Sequence, residues 1–348
     1  MTPNPLQDLL NQRGVLLADG ATGTNLFAMG LETGDAPELW NVDHPERIAA
    51  NYQSFVDAGS DIILTNTFGG THYRLQLHKA AHRVHELNVA GVKIGRQVAA
   101  EAGRPIIIAG CIGPTGEIPE PMGSLSHAYA VAAFAEQAQA LKEGGADVLW
   151  IETMSSTQES EAAIEGANQT GLAVICTYSF DTNGRSMMGV TPADMVQSCG
   201  HPAHTAYACG SNCGVGASEV VMAICNMRKA PGGDKAIFVA KANCGIPEYV
   251  NGAIHYNGTP EIMARYATMA MDAGADIIGG CCGTSPEHVA AMRLALSGHT
   301  KGESPTANDI EALLGEVSKG AKAQFAGDLS VAGGAAEGAV IKRRSRRR

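Results

Sequence analysis

Short apolar runs recur along the chain, and the stretches between most of them carry apolar residues at helical spacing, such as 127–142 and 261–273. A short run that is apolar throughout is typical of a strand in a parallel sheet, because such a strand is buried on both faces. Three of the runs follow a similar phrase, in which a helical pattern ends at glycine and a polar residue turns the chain. The pattern predicts eight strands, at 15–18, 62–65, 106–109, 148–151, 173–178, 205–208, 237–240 and 277–279.

Eight strand–helix units predict an α/β fold built as a single (β/α)8 TIM barrel. We assign residues 1–300 to this barrel, 301–326 to a C-terminal helical extension, and 327–348 to a disordered Gly/Ala-rich segment with a basic tail. A doubly wound open sheet is the alternative fold, but no Gly-x-Gly-x-x-Gly turn follows the first predicted strand. Polar residues collect directly after the predicted strands, which is where barrel enzymes keep their active sites.

The composition excludes several classes of protein. The 348 residues carry a net charge of −10, although residues 342–348 contribute six basic side chains, so we expect no nucleic-acid partner. No apolar stretch approaches the ~20 residues that a membrane span needs, and the N-terminus lacks the basic and apolar regions of a signal peptide. Nine cysteines in such a chain indicate reduced thiols and a cytoplasmic location. The sequence leaves the oligomeric state open.

The adjacent cysteines Cys281 and Cys282 follow the eighth predicted strand. They are poorly placed to form a disulfide with each other, because neighbouring Cα atoms lie about 3.8 Å apart and a disulfide needs about 4.4–6.8 Å. Two such thiols can bind one soft metal ion where the backbone turns sharply, and Gly279, Gly280 and Gly283 permit such a turn. Zinc with three protein ligands and an open fourth position is typical of a catalytic site, so a third ligand is expected.

Five motifs lie at or near the carboxyl ends of predicted strands. They are Asp-Gly-Ala-Thr-Gly-Thr (19–24), Thr-Asn-Thr-Phe-Gly (65–69), Ile-Glu-Thr (151–153), Gly-Ser-Asn-Cys-Gly (210–214) and Gly-Gly-Cys-Cys-Gly-Thr (279–284). In order and spacing they resemble the motifs of the homocysteine S-methyltransferases, a family that includes betaine-, S-methylmethionine- and cobalamin-dependent enzymes. The resemblance covers about residues 10–295. It implies a zinc-dependent barrel enzyme that methylates the thiol of homocysteine to give methionine.

The resemblance also implies roles for individual residues. It implies that Cys213, Cys281 and Cys282 hold Zn²⁺, that Asp19 and Glu152 bind the amino group of homocysteine, and that Asn66, Thr67 and Phe68 bind its carboxylate. Zinc suits this chemistry, because a thiol with a pKa of about 8.5 is only a few per cent thiolate at pH 7, and coordination deprotonates it. An all-sulfur site keeps the bound sulfur electron-rich, which favours alkyl transfer to sulfur over activation of water.

The predicted methyl donor is glycine betaine, which would leave as dimethylglycine. A quaternary ammonium group binds well over aromatic faces, and Trp40 and Tyr73 are the candidate donor-binding residues near the predicted rim. S-methylmethionine, a sulfonium, would use the same faces. A methyl-corrinoid or methylfolate system is a further alternative. Since no Asp-x-His-x-x-Gly cobalamin signature is present, it would need a separate corrinoid protein as partner.

Three other interpretations stay open at this point. Cys244 repeats the Asn-Cys-Gly triplet of Cys213 one strand later and rivals it as the third ligand. Lys241, at the end of the seventh predicted strand, would suit an aldolase-type barrel that forms a Schiff base. A non-catalytic zinc–thiolate redox sensor would need only the cysteines. Neither of the last two interpretations explains the remaining motifs.

Overall fold

The computed structural model describes residues 4–250 and 253–330, in which strands and helices alternate. The strands are β1 (Leu16–Leu17), β2 (Ile62–Leu64), β3 (Ile107–Ile112), β4 (Val148–Met154), β5 (Ala173–Tyr178), β6 (Ala208–Cys213), β7 (Phe238–Ala242), β8 (Pro247–Val250), β9 (Ala253–Tyr256) and β10 (Ile277–Gly280). The α-helices are α1 (Pro5–Arg13), α2 (Gly23–Ala28), α3 (Trp40–Asp43), α4 (Pro45–Asp57), α5 (His72–Gln76), α6 (Val84–Glu101), α7 (His127–Gly144), α8 (Thr157–Asn168), α9 (Pro192–Cys199), α10 (Ala217–Lys229), α11 (Pro260–Ala273), α12 (Pro286–Ser297), α13 (Ala307–Leu314) and α14 (Lys319–Phe325). Two 3-10 helices, Pro37–Leu39 and Ala81–Arg83, precede α3 and α6.

Eight of these strands form one parallel sheet in the order β1-β10-β7-β6-β5-β4-β3-β2, and β8 and β9 form a separate antiparallel hairpin. A parallel bridge between Ala18 and Ile62 joins the two ends of the sheet. Across this junction Asp61 N donates to Leu17 O at 2.6 Å and Asp19 N donates to Ile62 O at 3.0 Å. The sheet therefore closes on itself. The (β/α)8 barrel predicted from the sequence is confirmed, and the open-sheet alternative is wrong.

The sixth barrel strand differs most from its prediction. It runs from Ala208 to Cys213, and the predicted run 205–208 overlaps it at one residue. An apolar pattern misses this strand because its second half is polar. Ser211 and Asn212 are nevertheless buried, and Asn212 is satisfied by hydrogen bonds to the adjacent strand β5 and to β4 beyond it. Polar residues are tolerated in a barrel interior when their hydrogen bonds are made there.

The C-terminal part of the chain adds two helices to the barrel. Helices α13 and α14 lie in the predicted extension 301–326. Of the segment 327–348, predicted to be disordered, residues 331–348 lie outside the described residues, and this includes the basic tail. Among the helices that are described, none is long and apolar enough to cross a bilayer.

The barrel interior buries an apolar cluster of its own. Trp150, Val239 and Ile277 belong to it, together with Leu6 and Leu9 of α1. Because α1 immediately precedes β1, these leucines cover the amino-terminal end of the barrel. The other helices pack on the outer face of the sheet around a second and larger cluster. The carboxyl ends of the strands are therefore the end at which a site can open.

The pattern of a glycine followed by a polar residue, which precedes three of the predicted strands, has one structural role. An aspartate stands immediately before β2, β4 and β10, and its carboxylate accepts a backbone N–H from the strand beside it in the sheet. The pairs are Leu17 N to Asp61 Oδ2, Ile108 N to Asp147 Oδ2 and Phe238 N to Asp276 Oδ2, each at 2.8 Å. These contacts fix neighbouring strands in register at the amino-terminal end of the barrel.

Asp61 pairs with three arginines at this end of the barrel. Its side chain is fully buried, and it pairs with Arg13, with Arg293 and, at 3.8 Å, with Arg104. A buried carboxylate is stable only when it is paired and hydrogen-bonded. Asp61 meets this requirement and also neutralises part of the charge of the arginines around it.

We predict that Asp61→Asn destabilises the protein by about 3–5 kcal/mol, the usual cost of breaking a buried ion pair on one side. Urea unfolding followed by circular dichroism measures it. The matched control is Glu86→Gln, which removes the exposed pair with Arg83 and should cost less than about 1 kcal/mol. Equal effects of the two substitutions would show that Asp61 does not stabilise the barrel.

Candidate metal and substrate site

A cavity of about 420 Å³ opens at the carboxyl ends of the barrel strands. Its wall comes from the carboxyl ends of β1, β2, β3, β4, β6, β7 and β10 and from the segments that follow some of these strands. Among the predicted site residues, the wall includes Asn66, Phe68, Glu152, Cys213, Cys281 and Cys282. Of the predicted residues, the structure thus brings three cysteines and one acidic side chain to a single cavity, although Glu152, Cys213 and the Cys281–Cys282 pair are far apart in the sequence.

The three thiols of Cys213, Cys281 and Cys282 lie within 4.8 Å of one another, and the Sγ atoms of Cys213 and Cys282 are 3.8 Å apart. Strand register accounts for this closeness. Cys213 of β6 and Gly280 of β10 both stand opposite Ala242 of β7, which lies between the two strands. Cys281 follows at once, and its N–H donates to Ala242 O at 2.6 Å.

The backbone around the thiols turns sharply and is held by one asparagine. Cys213 and Gly283 both have positive φ, at 61° and 77°. Asn243, at the end of β7, accepts the N–H of Cys282 at 3.0 Å and donates to Gly214 O at 2.7 Å. A single amide therefore ties both cysteine-bearing turns together.

Asn212 connects the thiols to the acidic side of the cavity. Its Oδ1 accepts the N–H of Thr153 and the hydroxyl of Thr177, and its Nδ2 donates to Thr153 Oγ1. The same Nδ2 lies 3.9 Å from Cys281 Sγ. These bonds hold Thr153 at a φ of 63°, a conformation that costs a β-branched residue energy. The turn that orients Glu152 is therefore fixed by the residue next to Cys213.

The cluster of three thiols favours a state in which some of the thiols, but not all, are ionised. Hydrogen bonds with Cys281 and Cys282 raise the pKa of Cys213, whereas hydrogen bonds with Cys213 and Cys281 lower the pKa of Cys282. Three thiolates this close repel one another, so they do not all ionise in the protein alone. A bound cation would remove that repulsion.

Glu152 is a half-buried residue whose carboxylate has spare hydrogen-bonding capacity. The thiol of Cys111 donates to its Oε1 at 3.2 Å, and its Oε2 is buried without a hydrogen-bond partner. Burial raises the pKa of Glu152. An unpaired buried carboxylate oxygen on a cavity wall is suited to a cationic ligand.

Asp19 is placed differently from Glu152. It is 2% exposed and is absent from the cavity wall, and its Oδ2 accepts the N–H of Leu64 at 2.8 Å. Its Oδ1 lies 3.3 Å from the ammonium of Lys241, which does line the cavity. Burial raises the pKa of Asp19 to about 6, and the charge of Lys241 opposes that rise.

The ammonium of Lys241 stays protonated. Burial alone would lower its pKa, but the charges of Asp19 and then Glu152 outweigh burial and raise it. A Schiff base needs a neutral amine. The structure therefore gives no support to the aldolase interpretation of Lys241.

The 66–68 turn reaches the cavity only in part. Asn66 and Phe68 line the wall, but the Asn66 side chain is used internally, with Nδ2 donating to Pro37 O at 2.7 Å. Thr67 is fully buried, is absent from the wall, and donates to Cys111 O at 2.7 Å. The turn is thus held rigidly by its own side chains.

The two predicted donor-binding residues are not brought together in the cavity. Trp40 is buried at 7% exposure, with the Arg47 guanidinium 4.8 Å from its ring centroid. Tyr73 packs against the ring of His72, with the ring centroids 3.9 Å apart, in a separate surface groove. The aromatic side chains of the cavity wall are Phe27 and Phe68.

Other residues in or near the site differ from what the sequence suggested. Cys244 is buried and its thiol donates to Gly258 O at 3.2 Å, so it is not one of the three clustered thiols. Asn212 and Asn243 were missed as supporting residues, although each directly precedes a cysteine in an Asn-Cys-Gly triplet. Glu38 was also missed: it lines the cavity and accepts the N–H of Gly69 at 2.6 Å. No local signal marks Glu38.

The model of the homocysteine S-methyltransferase family matches residues 16–296 of the chain. The chain belongs to this family. The resemblance read from the five motifs is confirmed, and the match spans the whole barrel from β1 to α12.

Individual relatives agree with that assignment. The chain is 27% identical to methionine synthase of Mycobacterium tuberculosis (strain ATCC 25618 / H37Rv); the match covers 84% of this chain and spans only 25% of that protein. Solved structures of the homocysteine methyltransferase MmuM from Escherichia coli share the fold. Its oxidized and metallated forms superpose with a TM-score of 0.68 at 24% identity, covering 84% of this chain and 99% of MmuM.

The pKa of Asp19 makes stability depend on pH. A carboxyl group whose folded pKa is raised binds its proton more tightly in the folded chain. Its contribution favours folding below the ordinary pKa of 3.8 and is lost as the pH rises through about 6. At about 1.36 kcal/mol per pKa unit, the free energy of unfolding of the wild type should fall by about 2 kcal/mol relative to Asp19→Asn between pH 4 and pH 7. Urea unfolding of both proteins across this range measures the difference, and a difference that stays constant would refute the assignment.

Proposed function

We propose that the protein transfers a methyl group to the thiol of homocysteine and releases methionine, with zinc held by Cys213, Cys281 and Cys282. The observation that carries the proposal is the cluster of three thiols within 4.8 Å on the wall of a cavity that also holds the unpaired carboxylate oxygen of Glu152. A thiol amino acid needs both features, one for its sulfur and one for its amino group. Membership of the homocysteine S-methyltransferase family supports the same acceptor.

The residues present fit zinc. Three cysteine sulfurs form a soft donor set of the kind that zinc prefers, and three protein ligands leave a fourth position for a substrate. The thiols repel one another when ionised, and a divalent cation would relieve that repulsion. The metallated form in which MmuM was solved supports a metal in this family. Zinc bound by these cysteines would hold the sulfur of homocysteine as a thiolate, the nucleophilic form.

The protein's own side chains orient the acceptor. Glu152 Oε2 would accept a hydrogen bond from the ammonium group of homocysteine. The wall formed by Asn66, Phe68 and Gly69 would contact its carboxylate. Asn212 links the turn that carries Glu152 to Cys281, so the two ends of the acceptor meet groups held in one framework. Such fixed positioning accounts for a large part of the rate advantage in bimolecular transfers.

Glycine betaine is the donor we propose. Its methyl–nitrogen bond breaks as the methyl–sulfur bond forms, and the electron pair stays on nitrogen, giving dimethylglycine. The cavity wall includes Arg74 and His78, which suit the carboxylate of betaine. Because Trp40 and Tyr73 lie away from the cavity, its quaternary ammonium group would meet Phe27 and Phe68 instead. S-methylmethionine also carries a carboxylate and is the natural alternative small donor.

A corrinoid protein is the second candidate donor, and a specific observation favours it. Exposed apolar side chains lie in four segments that follow barrel strands, and Phe27 among them lines the cavity: Phe27 follows β1, Met187 and Met188 follow β5, Val215 follows β6 and Ile246 follows β7. An apolar surface of this kind suits contact with another protein. The likeness to one quarter of a methionine synthase supports a methyl group delivered by a separate domain or protein.

The experiment that tests the function uses the full chain loaded with zinc, homocysteine, and one donor at a time: glycine betaine with deuterated methyl groups, S-methylmethionine, or a methylated corrinoid protein. We expect labelled methionine and an equal amount of dimethylglycine from betaine. Methionine only with the corrinoid protein would replace the donor and keep the acceptor. If protein that binds zinc and homocysteine forms no methionine with any donor, the enzyme proposal fails in favour of the zinc–thiolate sensor.

Each of the substitutions Cys213→Ser, Cys281→Ser and Cys282→Ser should reduce bound zinc well below one equivalent. Each should also lower activity by more than about 100-fold, because even outer contacts of a metal site contribute about 10–100-fold. Elemental analysis after dialysis measures the zinc. Cys244→Ser is the matched control, since Cys244 is buried nearby but lies outside the cluster, and it should retain one zinc. Loss of zinc from this control with retention in Cys213→Ser would reverse the ligand assignment.

A further inference from the structure

Lys241 stands between the cavity and Asp19. Its side chain is 4% exposed, its ammonium donates to Gly20 O at 3.2 Å, and it lies 3.3 Å from Asp19 Oδ1. Lys241 lines the cavity and Asp19 does not. A ligand entering the cavity therefore meets the lysine before it can reach the aspartate.

The charged side chains on this side of the cavity can be complemented by one further cation. Asp19 and Lys241 are buried and form an ion pair, and Glu152 is a half-buried acid whose Oε2 is itself buried. The ion pair of Lys241 is with Asp19, and the oxygen on the cavity wall that has no hydrogen-bond partner belongs to Glu152. Since buried charges need partners, the site is complementary to a ligand that brings a single ammonium group to Glu152.

We propose that Lys241 is a positioning residue that fills the place beside Asp19, so that Glu152 alone receives the amino group of the acceptor. This inference rests on the proposed function, and it specifies which side chain recognises the amino group of homocysteine. Asp19 then acts through Lys241: it holds the lysine ammonium away from Glu152. Without Asp19, the lysine would be free to pair with Glu152 and compete with the substrate.

The inference predicts a specific result for a double variant. Asp19→Asn combined with Lys241→Met removes one negative and one positive charge, so the net charge of the site is unchanged and Glu152 keeps its free oxygen. Recognition of the amino group should therefore survive in the double variant. It should be weakened in Asp19→Asn alone, where the lysine has lost its partner, and lost in Glu152→Gln.

The test compares the binding of homocysteine with that of 4-mercaptobutanoic acid, which is homocysteine without its amino group. Isothermal titration calorimetry on zinc-loaded full-length protein gives both dissociation constants, and their ratio measures recognition of the amino group. We expect the wild type to prefer homocysteine by at least about 10-fold, as for a hydrogen bond to a charged group. Glu152→Gln should bring the ratio near one, and the double variant should stay within about threefold of the wild type.

The control is Asp147→Asn, which breaks a half-buried pair with Arg96 at the opposite end of the barrel and should leave the ratio unchanged. Circular dichroism confirms folding of each variant. A double variant that loses the preference as Glu152→Gln does would overturn the inference, because Asp19 or Lys241 would then contact the acceptor directly. Failure of the wild type to bind homocysteine at all would instead overturn the proposed function together with the inference.

Discussion

The register of three neighbouring strands is the constraint on which the site depends. Cys213 in β6 and Gly280 in β10 stand opposite the same residue of the strand between them, Ala242. A shift of one residue in either pairing would move a thiol to a different level and turn its side chain to the other face of the sheet. The barrel closes through the bridge between Ala18 and Ile62, and closure prevents such a shift. Three sulfurs can therefore be held within 4.8 Å although no local sequence feature brings Cys213 near the other two.

Acidic side chains accept backbone N–H groups at both ends of the barrel, but the two ends differ in whether every buried carboxylate oxygen has a partner. At the amino-terminal end, aspartates accept backbone N–H groups from neighbouring strands and pair with arginines, so their charge is satisfied within the protein. At the carboxyl end, Asp19 also accepts a strand N–H and pairs with Lys241. The Oδ1 of Asp19 accepts no hydrogen bond but lies 3.3 Å from the ammonium of Lys241, whereas Oε2 of Glu152 is buried without a hydrogen-bond partner and lines the cavity. A buried polar atom that is left unsatisfied is costly, and on a cavity wall it marks where a ligand is needed.

The apolar runs predicted the barrel, because the strands of a closed parallel sheet are buried on both faces and therefore consist mostly of apolar residues. They failed for β6, where the buried residues Ser211 and Asn212 are polar and where the amide of Asn212 is satisfied by partners from β4 and β5. The adjacency of Cys281 and Cys282 was visible in the sequence. The placement of Trp40 was not visible in the sequence. The path of the segment between β1 and β2, which contains α3, is set by contacts distant in sequence, such as the bond from Asn41 Nδ2 to Asn66 O. The pairing of Lys241 with Asp19 joins residues that are 222 positions apart and depends on strand order.

The most direct test of the account is to count the sulfur atoms around zinc in the full-length protein by X-ray absorption at the zinc edge. The account predicts three cysteine sulfurs at about 2.3 Å in the protein alone and a fourth sulfur after homocysteine is added. The same count before and after addition, in protein shown to bind homocysteine, would contradict it. Such a result would mean that the cluster of Cys213, Cys281 and Cys282 does not present a metal to the acceptor thiol.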